Sequence, residues 1–285
     1  MEEERSISNG KLFFIIFILL IISTVLWARF ISTKGLIVKE YPVYNTNITD
    51  NFDGLKIVQF SDLLYGRTVN KSDVDKLVTK INELKPDIVV FTGNLFDKDT
   101  IVNNNLKNDI EKKLSKINAK LYKFAIYGNL DKKIDNYDIL MKNAGFTFLS
   151  NSSELVYYNG TAPIFVGGLD SMLANSMDVD TTLSPLKEEQ YQDCYKIVIA
   201  HEPDSYDKFK DYNVDLVLSG HSLNGQVRVP FVGAIKNKKG SLKYNNAYYK
   251  IGNTDMYISG GIGTSNYSFR WFNKPSINLY RLYKK

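Results

Sequence analysis

From Leu12 to Ala28 the chain reads LFFIIFILLIISTVLWA, 17 residues without a charge, bracketed by Lys11 and Arg29. A segment this apolar either crosses a membrane or must be buried on every face, so it constrains the architecture before any other feature. Ile, Leu and Phe fall on all sides of the helix it would form, and no small-x-small cleavage site precedes Arg29. That pattern predicts an uncleaved single-pass anchor in the cell membrane rather than a core helix or a signal peptide. Arg5 and Lys11 on one side are matched by Arg29, Lys34 and Lys39 on the other, so charge does not choose a sidedness. The expected order is a tail over 1–11, an anchor over 12–28, a linker over 29–54 and a folded domain over 55–285. One edge strand is expected inside the linker, near Leu36 to Tyr44.

The remaining composition suits a globular body: 44% hydrophobic and 24% charged residues, with 7 Pro and 18 Gly, exclude collagenous, mucin-like and wholly disordered classes. The single Cys194 excludes an internal disulfide framework and a Cys-rich zinc finger. The net charge of +5 is spread among acidic residues without a dense basic block, so no nucleic-acid partner is indicated. Clusters such as Asn103 to Asn105 and Lys236 to Lys239 read as solvated loops.

Short apolar runs alternate with helical spacing in the first half of the domain. Leu55 to Phe60, Asp87 to Phe91 and Leu121 to Tyr127 read as strands. Between them, Val74, Leu77, Val78, Ile81 and Leu84 recur at helical spacing up to Pro86, and Ile110, Leu114 and Ile117 share a second helical face. This β-α-β-α-β order predicts a partly parallel sheet. The second half is strand-rich, with runs starting at Ile164, Tyr195 and Val214, then over 246–251, 256–259 and 276–282.

Several strands end in a loop pairing Gly with Asp, Asn or His: SDLLYG after Phe60, TGNLFD after Phe91, YGNLD after Ile126, AHEPD after Ile199 and SGHSLNGQ after Leu218. In open α/β folds ligand sites collect at the carboxyl ends of strands, so these loops should converge. Both histidines of the chain, His201 and His221, lie in them. In order and spacing the loops resemble the calcineurin-like metallophosphoesterases, especially their bacterial membrane-associated phosphodiesterase-like branch. The resemblance extends to the closing segment GGIGTSNYSFRWFNKPSINLYRL and spans about Leu55 to Leu282. It implies a four-layer α/β/β/α sandwich with the metal loops at one edge, and a domain held outside the cytoplasm.

The family pattern runs Asp-x-His, Gly-Asp, Gly-Asn-His, a lone His and Gly-His-x-His. Matched position by position, it leaves Asp62, Asn94, Asn129, His201 and His221 as candidate metal ligands, with Leu64 and Leu223 at two histidine positions. Family members activate water between two cations roughly 3.5–4 Å apart, bridged by a carboxylate; here the bridging position is Asn94. The phosphate-contacting, proton-donating His position is Leu130, so no catalytic residue is assigned. Asp131 and Asp97 are acids near the site, at positions where the family commonly places orienting groups. The cofactor expectation is one divalent cation, Mn, Zn or Fe, held by Asn129, His201 and His221; a purely structural role for these residues stays open beside it.

Three readings follow: a membrane-anchored binding or regulatory module with impaired or absent hydrolysis, acting on an unknown phosphoester ligand or protein partner; a hydrolase of phosphodiesters or phospholipid-type substrates using one metal; and a structural envelope protein. On the last, Tyr267, Phe269, Trp271 and Phe272 form an exposed aromatic patch, although strand packing explains them equally well. Specificity in the family comes from cap and loop segments, here expected over Asp170 to Asp193.

Overall fold

Ile57 to Phe60 and Ile88 to Phe91 are continuous apolar or uncharged runs because both faces of their strands are covered. In the computed structural model, which describes residues 8–285, Val58, Phe60, Val89 and Phe91 face helices, while Ile57, Ile88 and Val90 face a second sheet. Residues 1–7, most of the expected tail, lie outside the described residues.

The first sheet contains β1 (Ile37–Asn45), β2 (Lys56–Phe60), β3 (Ile88–Phe91), β4 (Tyr122–Ala125), β5 (Thr147–Phe148) and, from the far end of the chain, β14 (Ser276–Lys284). Its order is β1-β14-β2-β3-β4-β5, with β2 to β5 parallel and β14 antiparallel to β2. The second sheet is built from β6 (Ser152–Val156), β7 (Ile164–Gly168), β8 (Tyr195–Ile199), β9 (Leu216–Ser219), β12 (Tyr248–Ile251) and β13 (Thr254–Ile258), in the order β12-β13-β9-β8-β7-β6. A small hairpin of β10 (Arg228–Val229) and β11 (Gly233–Ala234) stands apart from both.

Helices α2 (Lys71–Glu83), α3 (Asn104–Leu114) and α4 (Tyr137–Asn143) cover the outer face of the first sheet. The side chain of Asn70 caps α2 and Asp73 returns the bond, an arrangement that satisfies first-turn N–H groups before the apolar stripe of Val74, Leu77, Val78 and Ile81 begins. Asn103, expected in a solvated loop, caps α3. The outer face of the second sheet is covered by α5 (Val179–Leu183) and short 3₁₀ turns, with Leu183, Tyr206 and Phe209 packed on Phe165, Val198 and Val217. Between the sheets lies an apolar layer crossed by a polar link at Gln59, which is buried, donates to Ser219 O (2.9 Å) and accepts from Tyr280 Oη (2.6 Å). The four-layer α/β/β/α expectation is met, with a thin fourth layer.

The apolar helix α1 (Asn9–Leu26) starts at a Ser8 cap and continues as a wider turn through Ile31, so the element spans 23 residues, longer than the expected 12–28. Lys11 and Arg29 fall inside it, because long basic side chains extend along a helix without interrupting its backbone bonds. At about 1.5 Å per residue such a helix reaches roughly 35 Å, long and apolar enough to cross a membrane. It meets the domain at a defined joint: Arg270 N donates to Ala28 O (3.0 Å), and the Trp27 and Trp271 rings meet edge-on at 5.8 Å. The expected aromatic patch is therefore divided, Trp271 and Phe272 belonging to this joint while Tyr267 and Phe269 line a groove.

The segment expected as a linker carries one edge strand, β1 (Ile37–Asn45), close to the expected Leu36 to Tyr44. β1 pairs in parallel with β14 over nine residue pairs, Ile37 with Ser276 through Asn45 with Lys284, and buries Val43, while Ile48 and Phe52 pack into the inter-sheet core. The charges and Pro42 of β1 suit this edge position, since an edge strand needs few apolar residues and tolerates proline. A chain starting at Leu55 would leave β14 as an open edge. Such a chain should aggregate, whereas one starting at Ser32 should elute as a discrete species in size-exclusion chromatography; equal behaviour of the two would show that β1 is dispensable.

Candidate functional site

Five strands of the two sheets deliver their carboxyl-terminal loops to one edge: Asp62 follows β2, Asn94 follows β3, Asn129 follows β4, His201 follows β8 and His221 follows β9. All five residues identified from the sequence converge. Asn94 is the hub: its Nδ2 donates to Asp62 Oδ1 (3.0 Å) and Asn129 Oδ1 (3.2 Å), while its Oδ1 accepts from Leu130 N (3.0 Å). The backbone donor at Leu130 fixes which end of the amide is oxygen. Asp62 also accepts from Ser61 Oγ (2.6 Å) and His221 N (2.8 Å), and its Oδ1 lies 4.0 Å from His201 Nε2.

The loops approach too closely for ordinary residues. A Cβ on Gly93 would lie 2.3 Å from Gly128 N, and one on Gly128 would lie 2.4 Å from Asn94 Oδ1. Asp131, completely buried, fastens this crossing by accepting from Asn94 N, Leu95 N and Gly128 N at 2.6–2.8 Å. Asp97 is paired with Arg67 (3.1 Å). Both acids hold structure, as expected for orienting groups.

The two imidazoles are held differently. His201 Nδ1 donates to Thr92 O (2.5 Å) and His221 Nε2 donates to Lys239 O (2.8 Å), since a carbonyl can only accept. That leaves His201 Nε2 and His221 Nδ1 buried without a hydrogen-bond partner, on rings 5.2 Å apart. A ring nitrogen fixed by a carbonyl, with its opposite lone pair free, is the arrangement found in metal-ligating histidines. Together with Glu202 they form a group whose ligand atoms lie within 4.8 Å of one another. Glu202, missed in the sequence although it follows His201 directly, is already engaged by Ser171 Oγ (2.5 Å) and Met172 N (3.0 Å). The donor set fits one divalent cation near the imidazoles. Leu64 and Leu223 are buried and pack against Gly263 and Gly261.

Burial would push the Asp62 carboxyl up, but His201, Lys238 and the Ser61 hydroxyl together hold it below the usual carboxylate range. Burial, with His201 and Lys238 close by, pushes His221 down to about 3, so its ring is neutral at pH 7. Lys238, expected in a solvated loop, turns inward: its Nζ donates to His221 O (3.3 Å), and burial lowers it to about 8 against the pull of Asp62. Arg270, wholly buried, donates to the carbonyls of Gly260, Gly261, Gly263 and Asn273 and so fixes the loop that covers Leu64 and Leu223. Neither residue carries a sequence motif that announces its role.

The site opens into a cleft of about 270 Å³ lined by Asp62, Asn94, Asn129, Leu130, His221 and Lys238, among others. A groove of about 410 Å³ adjoins it, sharing Lys238, Ser265 and Asn266 and adding Val227, Ile235, Tyr267 and Phe269. Residues 170–193, expected to cap the site, line neither space; the β11–β12 and β13–β14 connections do, because Arg270 and the hairpin hold them over the strand ends.

The pattern of calcineurin-like phosphoesterases matches residues 55–225, and the chain belongs to that family. It is 33% identical over 260 residues to the uncharacterized metallophosphoesterase YkuE of Bacillus subtilis, covering 90% of this chain and 88% of that protein. It is 28% identical over 238 residues to phosphodiesterase YaeI of Escherichia coli, covering 82% and 84%. A transmembrane protein with metallophosphoesterase domain from Danio rerio is 29% identical over 202 residues, covering 66% of this chain and 44% of that one.

A pH dependence follows from His221. The unfolded chain protonates this ring below its ordinary value of 6.5, whereas the folded chain resists protonation down to about 3. Its contribution is therefore complete above pH 6.5 and is lost as pH falls towards 3. Asp131, raised by burial to about 6 despite its three N–H donors, works in the opposite direction between about 6 and 3.8. In metal-free buffer, His221→Gln should lower the slope of unfolding free energy against pH between 6.5 and 4 by up to about 1.4 kcal/mol per unit. Urea melts at stepped pH values measure it, and an unchanged slope would mean that the ring is accessible to protons in the native state.

Proposed function

We propose that this chain is a membrane-anchored member of the family whose two-cation centre is reduced to a single cation position, and that it binds a phosphoester while hydrolysing it weakly or not at all. The domain is placed outside the cytoplasm, an assignment that rests on family resemblance. The observation carrying the reading is Asn94, whose NH₂ group joins Asp62 to Asn129 where a bridging carboxylate would repel Asp62 unless cations lay between them. Leu64 and Leu223 add support, since a buried leucine offers a cation nothing.

A divalent cation (Mn, Zn or Fe) held by His201, His221 and Asn129 would polarise a phosphoryl oxygen as a Lewis acid. The chain's own groups can bind and orient the ester. Lys238 and Lys239 line the cleft and supply positive charge for phosphoryl oxygens, and Asn129 Nδ2 is a neutral donor beside them. Leu130 cannot protonate a leaving oxygen, and Asp97 and Asp131 are bound to Arg67 and to backbone N–H groups. A positioned acid contributes typically 10²–10⁴-fold, and its loss together with one cation position accounts for slow chemistry.

The free lone pairs of His201 Nε2 and His221 Nδ1 favour a second reading, a hydrolase working with one cation. The two separate on a chromogenic phosphodiester assayed with the full chain in detergent, with and without Mn²⁺. The expected result is at most one bound cation per chain, lost in His201→Ala, and no turnover above background. Metal-dependent turnover abolished by His221→Ala would overturn the binding reading in favour of the hydrolase.

Asn94→Asp tests the site's electrostatics. Without metal it places two carboxylates side by side, and the expected cost is about 2–4 kcal/mol of stability. Added Mn²⁺ should restore much of that loss in the variant while shifting the parent far less. Thermal melts with EDTA or Mn²⁺ measure both, and a variant as stable as the parent in EDTA would show that the amide does not have this role.

A further inference from the structure

The β10–β11 hairpin carries a feature that the phosphoester site does not use. Its turn, Pro230-Phe231-Val232, presents Phe231 fully exposed and Val232 largely exposed, with Ile235 exposed beyond them. Phe231 also adopts a left-handed backbone (φ 66°), a conformation that turns normally assign to Gly or Asn. A bulky apolar side chain held outwards at a strained position needs a partner.

The hairpin's position identifies the partner's chemistry. Arg228 N donates to Trp271 O (3.0 Å) and Trp271 N to Gln226 O (3.3 Å), so the base of the hairpin is bonded to the residue that packs on Trp27 at the end of the apolar helix. Phe30, Ile31 and Phe272 at this joint are exposed as well. From residue 216 to residue 254 the chain has no Asp or Glu but carries Arg228, Lys236, Lys238, Lys239, Lys243 and Lys250. Lys243 and Lys250 are paired with Asp207 and Asp255, and Lys238 turns inward, which leaves Lys236 and Lys239 exposed beside the hairpin. An apolar tip flanked by these two cations, continuous with a membrane-crossing helix, matches the interface of a bilayer with anionic headgroups.

We propose that the β10–β11 hairpin is a membrane-docking tip: Phe231 and Val232 enter the acyl boundary of an anionic bilayer while the exposed Lys236 lies among the headgroups. This rests on the reading of α1 as an anchor. Docking holds the domain at two points, the helix joint and the hairpin, and fixes the groove lined by Val227 and Ile235 beside the lipid surface.

The test uses the full chain in Cys194→Ala background, reconstituted in vesicles of phosphatidylcholine and phosphatidylglycerol containing acyl-chain nitroxides. Cysteines introduced singly by Phe231→Cys, Phe17→Cys and Lys187→Cys carry an environment-sensitive fluorophore; the last is an exposed site on the far covering layer. Position 231 should emit to the blue of 187 and be quenched at least about twofold more, with the excess shrinking in vesicles of phosphatidylcholine alone. Quenching at 17 but not at 231 would overturn the docking proposal and leave the anchor standing. A blue-shifted 231 without nitroxide quenching would place protein rather than lipid on the tip and overturn it too. Absence of quenching at 17 would remove the anchor, and with it the proposal.

Discussion

The amide of Asn94 is the contact on which the site depends. Through one side chain it satisfies Asp62, Asn129 and the Leu130 backbone, and so joins its own loop after β3 to the loops after β2 and β4. A carboxylate at this position could make the Leu130 bond but would face the negative charge of Asp62. An amide replaces that repulsion with an N–H···O bond, so the loops close without a cation between them. The Asp131 clamp then becomes complete, because the same closure brings Asn94 N, Leu95 N and Gly128 N onto one carboxylate.

The backbone of the site is strained in a way its side chains no longer explain. Asp62, Leu64, Asn94, His221 and Leu223 all have φ between 46° and 61°. Asp and Asn tolerate this region, but for leucine it costs about 1–2 kcal/mol per residue. Strained loops persist when the surrounding structure determines them. Here Arg270 holds the 260–263 carbonyls over Leu64 and Leu223, and the burial of both leucines offsets the strain. The left-handed loop geometry is thus held in place although two of its positions carry leucine.

Much of this was legible in the sequence because it rests on local patterns. Strands such as β2 and β3 are apolar on both faces, and the five Gly-containing loops carry their polar residues in order. Elements with weak patterns were missed. β6 is Ser-Ser-Glu-Leu-Val at a sheet edge, where one covered face suffices, whereas β1, also at an edge and interrupted by Pro42 and two charges, is expected near Leu36 to Tyr44. Groups that act over long sequence separations were also hidden. Lys238 reaches His221 and Arg270 reaches Gly260 only because the chain returns to the strand ends after β11 and β13, and nothing near either residue in sequence signals that return.

The basic stretch after β9 shows how one segment serves two environments. Lys238 is drawn inward by Asp62 and stays near the phosphoester cleft, whereas Lys236 lines the adjoining groove and faces outward with the hairpin. Removing acids from 216–254 lets both coexist, since an acid there would neutralise the cleft and also repel an anionic surface. The charge proposed for a phosphoryl group and the charge proposed for a headgroup thus lie on one continuous segment. Its base is bonded to the residue that meets the end of the apolar helix, so the orientation of the cleft and the attachment of the domain are set by the same few backbone bonds.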